Sequence, residues 1–169
     1  MNLAIDVVNE ARNNKSCLVF FSEKDHCRTV RDKIVELGFD ENRVQLYYGD
    51  NKIPKEEMKR KAESKEAIIT IATYAIATEG TNVRTWERLF LGMTVGNERE
   101  TIQAIGRGRR TCEGKKELIV YDYRHPGIKG IRGHGAKQDE VYKKLGFTYL
   151  NEVDKPIQTQ MFTRGLKVV

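Results

Sequence analysis

Five short apolar runs punctuate this chain: "CLVFF" (17–21), "RVQLYY" (43–48), "AIITIA" (67–72), "ERLFLG" (87–92) and "ELIVYDY" (117–123). Those beginning at 17, 67 and 117 are almost unbroken, where a strand with one wet face would alternate apolar with polar residues. A strand that is apolar on both sides needs cover on both, as in a parallel sheet clothed by helices. Helical spacing fills the segments between, so the order is strand, helix, strand, helix. At 169 residues the chain is long enough to bury such a core. The expected fold class is α/β, a three-layer domain with a mostly parallel central sheet and helices on both faces.

Local signals place the helices. Ser22 is suited to cap one, with Asp25 at the capping-box position, and Cys27, Val30, Ile34 and Leu37 form its apolar stripe before Gly38. Pro54 suits a first helical position ahead of "KEEMKRKAESK", where Glu56/Arg60 and Glu57/Lys61 are spaced i,i+4. Only Met58 and Ala62 are apolar there, so that helix should be largely exposed. Asn97 and Glu100 open another helix through Ile102 and Ile105, and a last one covers "AKQDEVYKKLG" (136–146). The Gly-rich "HPGIKGIRGHG" (125–135) reads as a mobile loop. Residues 1–150 are expected to form the domain, and 151–169 a C-terminal extension or edge element.

Several function classes fall away. "MNLAIDVVNEARNN" is too polar for the core of a secretion signal, and no run approaches the ~20 apolar residues of a membrane span. Cys17, Cys27 and Cys112 make no CxxC pair and are odd in number, which suits a reduced cytoplasmic setting. His26, His125 and His134 are scattered, so no metal site is expected, and no glycine-flanked nucleophile pattern supports a Ser-His-Asp site. With 30 basic against 24 acidic side chains the net charge is +6, a mild excess that suits a polyanionic partner.

Three segments carry the chemistry. "FFSEKD" leaves the first strand, "IATYAIATEGTNV" leaves the third, and "QAIGRGRR" closes the helix before the fifth. Ligands of open parallel sheets gather at the carboxyl ends of strands, and all three segments are expected to converge on that edge. Three guanidinium groups within four residues (107–110) suit a flat, strongly negative ligand. If the helix persists, Gln103, Arg107 and Arg110 share one face at i, i+4 and i+7. Gly106 and Gly108 would then let the turn open so that both arginines reach outward.

Together these segments resemble the second RecA-like lobe of superfamily 2 helicases and translocases, over roughly residues 15 to 125. "SCLVFFSEKDHCRTV" is similar to motif IV, "TIATYAIATEGTNV" to motif V, and "QAIGRGRR" matches the motif VI pattern Q-x-x-G-R-x-x-R. The resemblance implies that Arg107 and Arg110 approach the γ-phosphate of ATP as arginine fingers, with Gln103 coupling the nucleotide to the fold. Gly80 would allow close backbone approach, and Asn82 stands where an acidic residue often holds the ribose. Glu79 would stand behind these contacts, and Thr78 is read as a turn residue as readily as a contact. Ser22, Lys24, Gly49, Thr73 and Tyr74 are implied in nucleic-acid contact. Ser22 and Lys24 also make an anion site by themselves, from orphan helix N–H groups and a positive charge. Tyr47 and Tyr48 can stack on bases, although alternating strand aromatics more often belong to the core. Arg109 is left to solvent or nucleic acid.

The phosphate loop G-x-x-x-x-G-K-[ST] and a D-E-x-[DH] segment are absent from the sequence. The resemblance puts those on a first lobe, which would hold ATP and most of its Mg2+, in cis or in trans. The expected partners are that N-terminal lobe and single-stranded or forked nucleic acid, DNA favoured over RNA, with no membrane. By itself the chain should hydrolyse ATP negligibly. A non-catalytic RecA-like module for binding nucleic acid or protein stays open as the alternative, and an unrelated α/β nucleotide-binding fold is a third.

Overall fold

The computed structural model describes residues 2–49, 53–77, 82–93, 97–124, 132–149 and 162–168. Its frame is a seven-stranded sheet built from β1 (Cys17–Phe21), β2 (Val44–Tyr47), β3 (Ile69–Thr73), β4 (Arg88–Leu91), β5 (Leu118–Arg124), β6 (Thr148–Tyr149) and β7 (Phe162–Val168). The spatial order is β2-β3-β1-β4-β5-β7-β6. The first five strands are parallel, and β7 is antiparallel to both β5 and β6. Every residue of β1, β3 and β4 is buried, Arg88 of β4 among them, as central strands covered on both faces require.

The helices are α1 (Asn2–Arg12), α2 (Lys24–Glu36), α3 (Lys55–Glu63), α4 (Tyr74–Ala77), α5 (Glu98–Gly108) and α6 (Arg132–Lys144). α1 packs on α2, while α5 packs on α4 and α6, so helices cover both faces of the sheet. Asn97 caps α5, its side chain accepting from the Arg99 N–H at 3.0 Å. In α3 the buried residues are Met58 and Ala62, and Glu57 pairs with Lys61 at 3.0 Å. Arg60 turns from Glu56 to Glu66, reached at 2.6 Å. No described helix is long and apolar enough to cross a membrane.

Three local expectations are corrected. The N-cap of α2 is Glu23 rather than Ser22, and it makes no side-chain capping bond. Pro54 stands just before α3, as its N-cap. Residues 132–135 belong to α6 rather than to the Gly-rich loop, whose residues 125–131 lie outside the described ones.

The polar-looking amino end, for which the sequence analysis names no element, is the helix α1, with Leu3, Ala4, Val7, Val8 and Ala11 buried on one side. Asp6 and Glu10, on the flank of that buried side, tie the helix to the sheet. Glu10 accepts from the Nε of buried Arg88 at 2.7 Å and from the Tyr121 hydroxyl, and Asp6 accepts from the Tyr123 hydroxyl. Arg88 also pairs with Glu117 at 3.3 Å, so its buried charge is met from two directions.

Candidate functional site

Strand register assembles one end of the site. Phe21 lies opposite Thr73, and Tyr47 opposite Ala72. The chain therefore leaves β1 at Ser22, β3 at Tyr74 and β2 towards Gly49 on one edge of the sheet, the carboxyl edge. Ser22 is exposed and Lys24 half-buried, at the start of α2 where backbone N–H groups lack helical acceptors. Gly49 is exposed, and a Cβ there would meet open space, so no neighbouring contact requires glycine. Arg28, one turn into α2, lies over the Tyr48 ring at 5.7 Å, donating from Nε to the Tyr48 hydroxyl at 3.2 Å and from Nη1 to Asp25 at 3.1 Å.

One aromatic expectation changes here, and the open reading of Tyr47 and Tyr48 resolves towards the core. The Tyr74 ring is buried and stacked on Phe20 at 5.3 Å and 18°, and its hydroxyl donates to the Met93 carbonyl at 3.1 Å. Its side chain belongs to the core; only its backbone remains for a nucleic-acid phosphate. Tyr47 and Tyr48 are likewise buried, and Thr73 is 6% exposed.

The arginines are elsewhere. α5 connects two parallel neighbours, β4 and β5, so it must run back across the sheet to reach the start of β5. Gly108 ends it against Leu118, the first residue of β5, where a Cβ would lie 2.8 Å from a Leu118 methyl. Eleven helical residues at ~1.5 Å each span about 16 Å. The expected convergence of all three segments thus fails: Ser22 and Thr73 share the carboxyl edge, and the arginines mark the amino edge.

At that end Arg110 donates through Nη1 to the Asn82 side-chain oxygen, bringing together two residues 28 apart in sequence. Arg107, 9% exposed, is packed against the protein, and burial, followed by the adjacent Arg110 charge, lowers its pKa. It does not reach outward as expected. Gln103 is half-buried one turn earlier on the same face, and Arg109 is exposed. Neither glycine opens the turn, and a Cβ on Gly106 would meet open space. The helix stays regular through Gly108, with Arg109 as an αR C-cap, and Gly108 permits the close approach to Leu118. Gly80, with Thr78 and Glu79, lies outside the described residues.

Three contributors had no motif to announce them. Lys115 follows Gly114, whose φ of +82° turns the chain back, with the Lys115 N–H donating to the Cys112 carbonyl at 3.2 Å. The Lys115 ammonium then donates to the carbonyls of Arg110 at 2.7 Å, Gly108, and Arg84 at 3.4 Å. Cys112 Sγ donates to the same Arg84 carbonyl at 3.5 Å. Among the described residues no group of His, Cys, Asp and Glu is arranged to hold a metal ion.

No family model matches the chain. It is 23% identical over 148 residues to the ATP-dependent DNA helicase UvsW of Enterobacteria phage T4, spanning 86% of this chain and 28% of that protein. The crystal structure of T4 UvsW matches with a TM-score of 0.62 at 18% identity, over 83% of this chain and 31% of UvsW. The helicase MrfA, solved with DNA and AMPPNP, matches at 0.66 and 14% identity, over 84% of this chain and 20% of MrfA. Domain 2 of the DEAD-box helicase Mss116p, solved with an RNA duplex, matches at 0.53 and 13% identity, over 68% of this chain and 47% of that one. The fold is the RecA-like fold of helicase second lobes. The chain spans about a third or less of the length of UvsW.

Proposed function

We propose that this chain is the second motor lobe of a superfamily 2, ATP-dependent nucleic-acid helicase or translocase. The observation that carries the reading is the pair Arg107 and Arg110 at the end of α5, with Arg110 held on Asn82. A half-withdrawn guanidinium crowded by a second one is a donor set suited to a polyphosphate, whose charge relieves both. ATP, held with its Mg2+ mainly by a first lobe, supplies the transferable phosphoryl group. Here Arg107 and Arg110 neutralise charge across the cleft, Gln103 couples them to the helix, and Asn82 with Gly80 faces the sugar.

At the carboxyl edge, Ser22, Lys24, Gly49 and the backbone at Thr73 and Tyr74 grip phosphates of the tracking strand. UvsW is named a DNA helicase, which favours DNA, while Mss116p was solved on RNA. Residues 1–150 are read as the lobe and 151–169 as a C-terminal extension or edge element, of which 162–168 joins the sheet as β7, and the setting as cytoplasmic.

The test is ATP turnover, with and without single-stranded DNA or RNA, for this chain and for a protein carrying both lobes. This chain should be silent and the two-lobe protein stimulated. Arg110→Ala should lower its turnover by about 10³-fold or more, the range of a lost arginine finger. If the two-lobe protein turns over nothing while this chain binds nucleic acid, the reading gives way to a non-catalytic binding module, consistent with the missing phosphate loop.

A further inference from the structure

Arg110 lies beyond the last hydrogen-bonded turn of α5, in the stretch from Arg109 to Cys112 that leads to the Gly114 turn. Such a stretch has no ladder to hold it. Lys115 provides a substitute, because its acceptors are all backbone carbonyls: two from the arginine segment and one, Arg84, from the segment that carries Asn82. An ammonium has three protons, and three carbonyl oxygens lie within hydrogen-bond distance of it. Its charge also sits where the helix dipole of α5 is negative.

We propose that Lys115 is the positioning residue of the arginine end, fixing the Arg110 backbone relative to Arg84 so that the Arg110 guanidinium stays on Asn82. The inference rests on the reading that Arg110 serves a bound polyphosphate, but the clamp itself is a property of this chain and is testable without ATP. Lys115 touches no reacting atom; it acts through Arg110.

Titration separates a clamp from mere packing. Burial lowers the Lys115 pKa to about 8, with Cys112 and Glu87 acting in the opposite sense. The titratable groups acting on it are Cys112 on its own loop and Glu87 from the segment before β4, while Arg84 and Arg110 meet it through their backbone carbonyls. Above pH 8 the amine loses a donor and its charge, so the clamp loosens. Global stability moves the other way. The unfolded chain still binds this proton between pH 8 and the ordinary lysine value, so folding is favoured as pH rises across that window. An arginine at 115 keeps its charge throughout and should hold the loop on both sides of pH 8.

The experiment is 15N relaxation of the Arg110 Nε–H and of the backbone amides of 109–112, in this chain and its K115R and K115M variants, below and above pH 8. Wild type should be rigid below pH 8 and loosen above it, K115R rigid at both, and K115M loose at both with an unchanged or higher thermal midpoint. Rigidity in K115M equal to wild type, or a K115R profile that tracks wild type, overturns the proposal. In the two-lobe protein, K115M should lower kcat by about tenfold or more with KM for ATP held within about twofold, and K115R should restore it. If Arg110→Ala leaves turnover intact, the ATP reading fails while the relaxation data still decide the clamp. If Arg110→Ala abolishes turnover and K115M does not lower kcat, the clamp is overturned.

Discussion

At the carboxyl edge, Ser22 and Thr73 are neighbours because β1 and β3 are hydrogen-bonded in register, whereas at the amino edge Arg110 meets Asn82 only because side chains tie two loops together. The first arrangement is inherited from the sheet and cannot drift without unpairing strands. The second depends on three local devices: the close approach at Gly108, the Gly114 turn and the Lys115 carbonyl contacts. Under the proposed function, nucleotide release on every cycle would favour an adjustable arginine end, and an unchanging phosphate spacing would favour a rigid carboxyl edge.

This contrast can be broken from either side. After the loss of turnover in Arg110→Ala, the largest effect should come from Gly108→Val. A branched side chain would meet the Leu118 methyls and push α5 off β5, costing about 2 kcal/mol in chemical denaturation. ATP turnover of the two-lobe protein should fall with it, while nucleic-acid affinity of the chain at a temperature where it is folded should hardly move. Lys24→Ala should do the reverse. A few-fold loss of single-strand affinity is expected, with the slope of log affinity against log salt smaller by about one and the thermal midpoint unchanged. Smallest is Tyr74→Phe, which removes the donor to the Met93 carbonyl and should cost about 1 kcal/mol of stability. Its nucleic-acid affinity should equal wild type; a marked loss would return the Tyr74 side chain to the binding surface.

Much of the frame was legible because it follows from burial. The apolar runs at 17, 67 and 117 became β1, β3 and β5, and Asn97 capped α5, since these depend on neighbours close in sequence. α1 escaped notice because its segment was weighed only as a secretion signal, although Leu3, Ala4, Val7, Val8 and Ala11 already had helical spacing. Ser22 looked like the cap, but the chain extends one residue further before turning at Glu23.

At the site, the sequence placed Arg107 and Arg110 at the end of one helix, as the structure has them, but it could not place that end on the sheet. That position depends on β4 and β5 being parallel neighbours, a pairing that forces α5 to return to the far edge. Gly108 was read for freedom and proved to matter for thinness. Lys115 could not be found by pattern at all, since its partners are carbonyls and every residue has one.

β7 runs against β5 for seven residues, from Leu118 opposite Val168 to Arg124 opposite Phe162. β5 is the last of the parallel strands, and without that neighbour its whole outer row of amides and carbonyls would be unpaired. An unpaired row of that length is a template for any extended chain nearby, including another copy of this one. The strand at 162–168 covers that row along its whole length, so a chain cut before residue 162 should self-associate more readily than the full one.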